Sequence, residues 1–384
     1  MKSACDDKGI LPAGPFSATI QTGARMHFGL ICGTRESGWR FGGIGLMLSQ
    51  PGWHIRASIS ATNGHQIESS GIDDAIIRRV RQAWTSICDL VSPLPDAQRF
   101  LSNIRLQILE SPPLHCGFGA GTQLTLGIAG VVELLWKVCS SPNEFLWREE
   151  MDSKTSAGRY STARRFGRAE RSVVGTEGFE NGGFIVDYGC NDSPLNQGDH
   201  TQQTVSPRNL KRLRIPDEWR FVIARPEQGR GISGEKEQAF FRQRQTMSVQ
   251  EVRRLSEIIE QRIVPSIEQQ DAPAFARSIG AYGKIAGQFY APAQGDIFSD
   301  PVMNSLVNWL ERHNIHGAAQ SSWGPGVCIP AGSETEASEI RDAVDAFSRE
   351  NPDIMPVNIT ITSPMNHGAV LQTAAPADRS GVIA

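Results

Sequence analysis

The sequence predicts an α+β fold in two subdomains. Three observations carry this. Short β-rich runs and amphipathic helical runs occur in both halves of the chain. They do not follow the regular βαβα rhythm that builds a doubly wound parallel sheet. A polar stretch with almost no large apolar side chains, residues 191–212, divides the 384-residue chain and reads as a linker or exposed insertion.

Taken in order, residues 1–17 read as a disordered or extended tail. They lack the basic segment followed by an apolar core that marks a signal peptide. Residues 18–22, 45–49 and 54–60 read as strands, with the Gly- and Arg-dense "TRESGWRFGG" as a loop among them. In residues 72–91, Ile76, Ile77, Val80, Trp84, Ile87 and Leu90 recur at helical spacing. Ile104, Leu106 and Ile108 alternate as in a strand, which the pair Pro112 and Pro113 ends. A glycine turn then opens a helix over about residues 122–138. Residues 143–170 are polar and basic; "GGFIVDYG" is a short strand and "WRFVIARP" a buried one. Helices follow at 248–268, 272–290 and 301–313, then a strand at "GVCIP", a helix at 334–349 and a last strand at "MPVNITIT".

Composition excludes several classes of function. Charged residues make up 21% and hydrophobic ones 39%, an ordinary globular balance. A net charge of -3 gives no reason to expect a nucleic-acid groove. No apolar run reaches the roughly 18–20 residues of a membrane span. The seven cysteines (Cys5, Cys32, Cys88, Cys116, Cys139, Cys190 and Cys328) form no CxxC pair. They read as reduced thiols of a cytoplasmic protein rather than as a disulfide or zinc framework.

The chemistry concentrates in five segments. In "PPLHCGFGAGTQLTLGIAG", Gly117, Gly119 and Gly121 precede Thr122 and Gln123. Glycines let backbone approach a ligand, and the helix they open turns its free N–H groups and positive dipole end toward the turn, which suits phosphate. A tight connection without a ligand is the alternative. Neither a Walker A loop nor the GxGxxG spacing is present. "GRYSTARRFGRAERS" crowds Arg159, Arg164, Arg165, Arg168 and Arg171. These are either a solvated basic face or, for Arg168 and Arg171 beside the four glycines at 175–183, part of a second ligand-facing loop. "ARMHFGL" puts Arg25 and His27 on one face of a strand, lining a cleft or facing solvent. "ISGEKEQAF" offers Glu235 and Glu237, either Mg²⁺ ligands or ordinary helix-start acids. "GAAQSSWGPGVC" sets Gln320, Ser321 and Ser322 in a polar turn with Trp323.

As a set these segments resemble the GHMP kinase superfamily, whose Pro-x-x-x-Gly-Leu-Gly-Ser-Ser loop corresponds to residues 112–122. The closer resemblance is to the β-ribofuranosylaminobenzene 5′-phosphate synthase family, a non-kinase branch, over about residues 20–330. It rests on "ARMHFGL", "RFGGIGLML", the glycine loop, "GRAERSVVGTEGFENGGFIVDYG", "PDEWRFVIARPEQGRGISGEKEQAF" and "AAQSSWGPGV". The resemblance implies a domain like ribosomal protein S5 domain 2 over 18–212 and a ferredoxin-like domain over 213–384. It implies condensation of 5-phosphoribosyl 1-diphosphate with 4-aminobenzoate, releasing CO₂ and diphosphate, in tetrahydromethanopterin biosynthesis; 4-hydroxybenzoate would serve the same electronics. A cytoplasmic homodimer using Mg²⁺ is also implied.

The site expected from it follows. Gly117, Gly119, Gly121, Thr122 and Gln123 bind a phosphoryl group. Arg168 and Arg171 neutralise phosphate charge, and Asp187 or Glu235 shares Mg²⁺ with the diphosphate. Arg25 holds the aryl carboxylate, and His27 or His115 handles a proton. Gln320, Ser321, Ser322 and Trp323 close the pocket. The sequence departs from true kinases in lacking Ser-Ser after the loop and a clear counterpart of their catalytic Asp. An ATP-dependent small-molecule kinase and a non-catalytic binding relative are the competing readings.

Overall fold

Three antiparallel-rich sheets organise the chain. This computed structural model describes residues 16–34, 36–59, 66–68, 71–91, 95–139, 163–189, 209–229, 231, 235–243 and 245–374. The strands are β1 (Ser17–Gln21), β2 (Ala24–Cys32), β3 (Arg40–Leu48), β4 (His54–Ile59), β5 (Gln66–Glu68), β6 (Ile104–Glu110), β7 (Phe184–Asp187), β8 (Leu210–Leu213), β9 (Arg220–Pro226), β10 (Ala319–Gln320), β11 (Val327–Ala331), β12 (Val357–Thr362) and β13 (Val370–Ala374). The helices are α1 (Asp74–Val91), α2 (Pro95–Leu101), α3 (Ala120–Cys139), α4 (Val174–Asn181), α5 (Glu235–Arg242), α6 (Val249–Ile258), α7 (Val264–Glu268), α8 (Ala272–Gln294), α9 (Pro301–Arg312) and α10 (Glu334–Glu350).

One sheet runs β13-β1-β4-β6-β5, a second β2-β3-β7-β8, and a third β10-β11-β9-β12. In the third, the chain order β9, β10, β11, β12 becomes the spatial order β12-β9-β11-β10, and every neighbouring pair is antiparallel. Helices fill both crossovers, after β9 and after β11. This is the split βαβ arrangement of a ferredoxin-like unit.

The first sheet packs on α1 and α3 through a core that includes Trp53, Leu106, Leu124, Leu135 and Trp136. A second core joins the halves: Phe28, Phe184 and Val186 from the N-terminal strands pack with Phe221, Leu255 and Phe275. Phe275 of α8 lies edge-on to Phe184 at 5.8 Å and Phe221 at 6.4 Å, and tilted on Trp219 at 5.1 Å. At the same contact β2 carries a bulge between His27 and Leu30. A bulge leaves carbonyls without ladder partners. Tyr282 and Tyr290 of α8 donate to the freed oxygens of Gly29 (2.9 Å) and Leu30 (2.8 Å).

Four expectations change. The glycine-dense stretch 175–183 is not a loop but mostly helix α4. Gly178 lets α4 lie directly on the Met47 side chain of β3, and Gly182 and Gly183 end it at φ 64° and 81°. The last four residues of "TRESGWRFGG" belong to β3. The helix expected at 248–268 is interrupted by a π turn, Ile259–Ile263. Pro265 lies just beyond it and cannot donate to the ladder, which favours a shifted register. Lastly, β13 follows the expected last strand and returns to pair with β1 from Ser17↔Ala374 to Gln21↔Val370.

Phe275→Ala, which empties a fully buried site shared by both halves, should cost about 3–5 kcal/mol of stability. Urea denaturation followed by fluorescence measures it, and a loss under 1 kcal/mol would show that the shared core does not bind the halves together.

Candidate active site

The glycine loop, β2 and the loop after β10 surround a cavity of about 370 Å³. The loop reaches its shape because three residues adopt the left-handed region: His115 at φ 61°, Gly117 at φ 84° and Gly119 at φ 66°. A side chain at Gly117 would collide with the Ser321 backbone, and one at Gly119 would meet the Arg25 guanidinium at 2.8 Å. Glycine is needed here for close approach, and what approaches is the rest of the site.

Ser321 ties the three segments together. Its hydroxyl donates to the Gly117 carbonyl (2.7 Å) and accepts from the His27 N–H (3.0 Å). The Ser322 N–H donates to the His27 carbonyl at 2.7 Å, with Ser322 itself at φ 52°. A non-glycine residue there is held against its own preference by its surroundings. Ser322 Oγ accepts from Arg25 at 2.8 Å. Arg25 Nε is buried with no hydrogen-bond partner among the described residues. Burial lowers the Arg25 pKa to about 10, opposed in part by Glu237, so it stays cationic at neutral pH.

His27 shares a hydrogen bond between Nε2 and Ser172 Oγ at 3.1 Å. Burial, and then the charge of Arg25, lower its pKa to about 3. The imidazole is therefore neutral across the physiological range.

Two further arginines meet at the start of α3. Around the point where a Gly121 Cβ would stand, Arg79 Nη2 lies at 2.6 Å and Arg168 Nη1 at 3.4 Å. Arg168 donates to Thr125 Oγ1 at 3.3 Å, while its Nε is buried without a partner among the described residues. Burial first, then the like charge of Arg79, lower its pKa to about 10. Arg171 instead pairs with Glu237 at 2.8 Å and lies 4.3 Å from the Phe241 ring centroid. The cavity also has an aromatic wall, in which Trp323 meets Tyr290 edge-on at 4.8 Å and Phe241 at 6.2 Å.

No family model matches the chain. It is 28% identical over 318 residues to a protein of Methanothermobacter thermautotrophicus named β-ribofuranosylphenol 5′-phosphate synthase, covering 80% of this chain and 87% of that one. A protein of the same name from Methanocaldococcus jannaschii is 24% identical, with 85% and 94% covered. Among solved structures, mevalonate diphosphate decarboxylase from Staphylococcus aureus superposes with a TM-score of 0.55 at 10% identity, covering 94% of this chain and 98% of that one. Homoserine kinase from Cytophaga hutchinsonii gives 0.52 at 14% identity, with 93% and 97% covered. The fold is GHMP-kinase-like, and the resemblance read from the motifs holds.

On this GHMP-like frame, most of the expected residues converge. Arg25, His27, His115, Gly117, Gly119, Gly121, Thr122, Arg168, Arg171, Gln320, Ser322 and Trp323 all line the cavity. Several hold positions other than those expected. His115 is exposed at φ 61°, at the rim. Ser321 is fully buried behind the wall as a fastener. Gln123 is buried too, donating to the Gly175 carbonyl at 2.9 Å. The Gln320 amide is committed to Gln294 Oε1 (3.0 Å) and the Ser322 carbonyl (2.8 Å).

Asp187 is a correction. It is fully buried, away from the cavity lining, and its oxygens accept from the backbone N–H groups of Val173 (3.2 Å) and Gly189 (3.0 Å). It braces the turn that presents Arg171 and Ser172. Glu235 opens α5, and its side chain lies outside the described residues, as does Arg159. His27 lines the cavity as a neutral imidazole, because a group that protonates near pH 3 does not deliver a proton as imidazolium at neutral pH. Arg79, Ser172 and Tyr290 were not anticipated. Arg79 sits three residues after Ile76, beside the apolar stripe of α1, and that position was its one signal in the sequence.

Two outcomes follow. Because the unfolded chain protonates His27 near 6.5 and the folded chain only near 3, stability should fall as pH drops from about 6.5 toward 3. His27→Gln should flatten that slope in urea midpoints measured against pH, and an unchanged slope would refute the low proton affinity. Gly117→Ala should reduce activity at least about tenfold while a circular-dichroism melt still shows a cooperative fold, since it displaces Ser321.

Proposed function

We propose that this chain is a decarboxylating phosphoribosyltransferase. It joins C1 of 5-phosphoribosyl 1-diphosphate to the ring carbon that carries the carboxylate of a para-substituted benzoate. One observation supports this above the others: a single cavity is lined by the glycine loop, by Arg25, Arg79, Arg168 and Arg171, and by the aromatic cluster of Phe241, Tyr290 and Trp323. The curated relatives carry the name of a ribofuranosylphenol phosphate synthase. A phenol product corresponds to 4-hydroxybenzoate as acceptor, and 4-aminobenzoate offers the same electron donation.

The step balances without an outside reagent. The C1–oxygen bond to diphosphate breaks, and the oxygen keeps the pair. The para donor pushes electron density to the carboxylate-bearing carbon, which bonds to C1. The bond to the carboxylate then breaks, CO₂ leaves, and its electron pair restores the aromatic ring.

No covalent intermediate with the protein is required, so positioning and fixed charge supply the catalysis. The loop amides, Arg168 and Arg171 face the donor phosphates. Arg25, with Nε unspent, holds the aryl carboxylate in a desolvated place and releases it as the charge disperses. Neutral His27 orients Ser172 without titrating. Trp323, Tyr290 and Phe241 give the aryl ring its faces.

Mg²⁺ is part of the proposal. Among the described residues no cluster of three or more His, Cys, Asp or Glu side chains could hold a metal. Glu237 lies on the cavity wall. Mg²⁺ commonly takes one or two carboxylates and completes its shell with phosphate oxygens and water. Glu237 fits such a role, Asp187 does not, and the ion would neutralise the leaving diphosphate. Assembly as a homodimer and a cytoplasmic location also belong to the proposal; free Cys32, Cys116 and Cys328, all buried, suit a reducing compartment.

The test supplies the donor, Mg²⁺ and carboxyl-labelled 4-hydroxybenzoate or 4-aminobenzoate. Labelled CO₂ and diphosphate should appear in equal amounts without ATP. Arg25→Met should lower kcat by about 10²–10³, the range for removing one preorganised donor. Acceptor phosphorylation at the expense of ATP, or donor binding with no CO₂ from folded protein, would refute the proposal.

A further inference from the structure

We infer that Arg79 of α1 is the second guanidinium of a phosphoryl clamp, paired with Arg168 across the first turn of α3. The inference rests on the proposed donor and extends it to a residue that no glycine-loop motif contains.

Arg79 Nη2 and Arg168 Nη1 lie 2.6 and 3.4 Å from one point above Gly121, so they are no more than about 6 Å apart. Both side chains line the cavity. The charge of Arg79 lowers the proton affinity of Arg168, which marks repulsion, not a pair. Glu170 offsets it in part and is itself exposed to water. Arg168 Nε has no partner among the described residues. The positive end of a 20-residue helix, α3, points at the same place. Three sources of positive potential therefore converge on one cavity wall.

Geometry makes this a built site. Gly121 has no side chain, and any Cβ there would press on Arg79. Both guanidiniums can therefore reach the helix terminus together. Thr125 Oγ1, which donates to the Gly121 carbonyl at 3.0 Å, steers Arg168 by accepting from it. Arg78, the preceding residue, is exposed and does not line the cavity. Planar guanidiniums on two sides match the several oxygens of a phosphate or diphosphate. In the donor, that chemistry belongs to both the 5-phosphate and the 1-diphosphate.

The experiment measures binding without turnover, so it reads the clamp even if the proposed reaction fails. Full-length wild type, Arg79→Gln and the charge control Arg78→Gln are titrated by calorimetry with diphosphate and, separately, with ribose 5-phosphate. Thermal melts are recorded with and without each ligand. Arg79→Gln should weaken at least one ligand by about ten- to hundredfold, the range for a hydrogen bond between charged groups. It should also lose most of that ligand's rise in Tm, while its ligand-free Tm stays equal or increases because a repulsion has gone. Arg78→Gln should bind as wild type. Loss for diphosphate alone assigns the clamp to the leaving group, loss for ribose 5-phosphate alone assigns it to the 5-phosphate, and loss for both means that it takes either. The inference is overturned if Arg79→Gln binds both ligands within twofold of wild type, if Arg78→Gln weakens binding equally, or if wild type binds neither. A ligand-free Tm that falls would overturn it as well, since Arg79 would then be a structural residue.

Discussion

Everything in the cavity depends on the Ser321 hydroxyl. It is fully buried, donates to Gly117 and accepts from His27, and so fixes the glycine loop, β2 and the loop after β10 in one arrangement. Each of its bonds contributes only about 0.5–1.5 kcal/mol net, but an unmade one leaves a buried backbone group unpaired. The surrounding glycines are explained by it. Gly117 has no room for a side chain because Ser321 is there, and Gly324 packs as closely against Cys116. The strained Ser322 is held by His27 on one side and Arg25 on the other. A site assembled from both halves of the chain keeps its shape because the Phe275 core beneath it joins the same halves.

Within that frame Arg25, Arg79, Arg168 and Arg171 all line one cavity. Arg25 and Arg168 each bury a nitrogen with no partner among the described residues, and Arg79 adds a like charge beside Arg168. Buried cations with an unsatisfied nitrogen oppose folding. Burial of the halves against one another offsets that opposition, and a polyanion entering the cavity relieves it. In the proposed reaction, such preorganised charge acts on the leaving diphosphate without reorganising. Arg171 differs, because Glu237 and Phe241 already satisfy it. Its proposed part in binding requires that it exchange a partner rather than gain one.

How far the sequence disclosed this can be traced residue by residue. Alternation put Arg25 and His27 on one face, and both do line the cavity, because a period of two fixes side-chain direction whatever packs above it. The glycine loop and the helix after it were legible for the same local reason. Arg79 was not, since an arginine in an amphipathic helix looks alike whether it faces solvent or a distant loop. Asp187 was expected as a metal ligand from the family resemblance alone. Only tertiary structure shows its oxygens turned to backbone N–H groups. The glycines of α4 misled in the opposite way, serving close helix–strand packing where a loop was expected. The low proton affinity of His27 came from burial beside Arg25, and no spacing rule carries burial.

The central claim is that the cavity makes a carbon–carbon bond rather than a phosphate ester. The most direct test is carbon NMR of the product formed from donor labelled at C1 and acid labelled at the ring carbon bearing the carboxylate. The account predicts one-bond carbon–carbon coupling between the two labels and no carboxyl signal. A product that keeps its carboxylate, with phosphate on the para oxygen or nitrogen and no coupling, would contradict it.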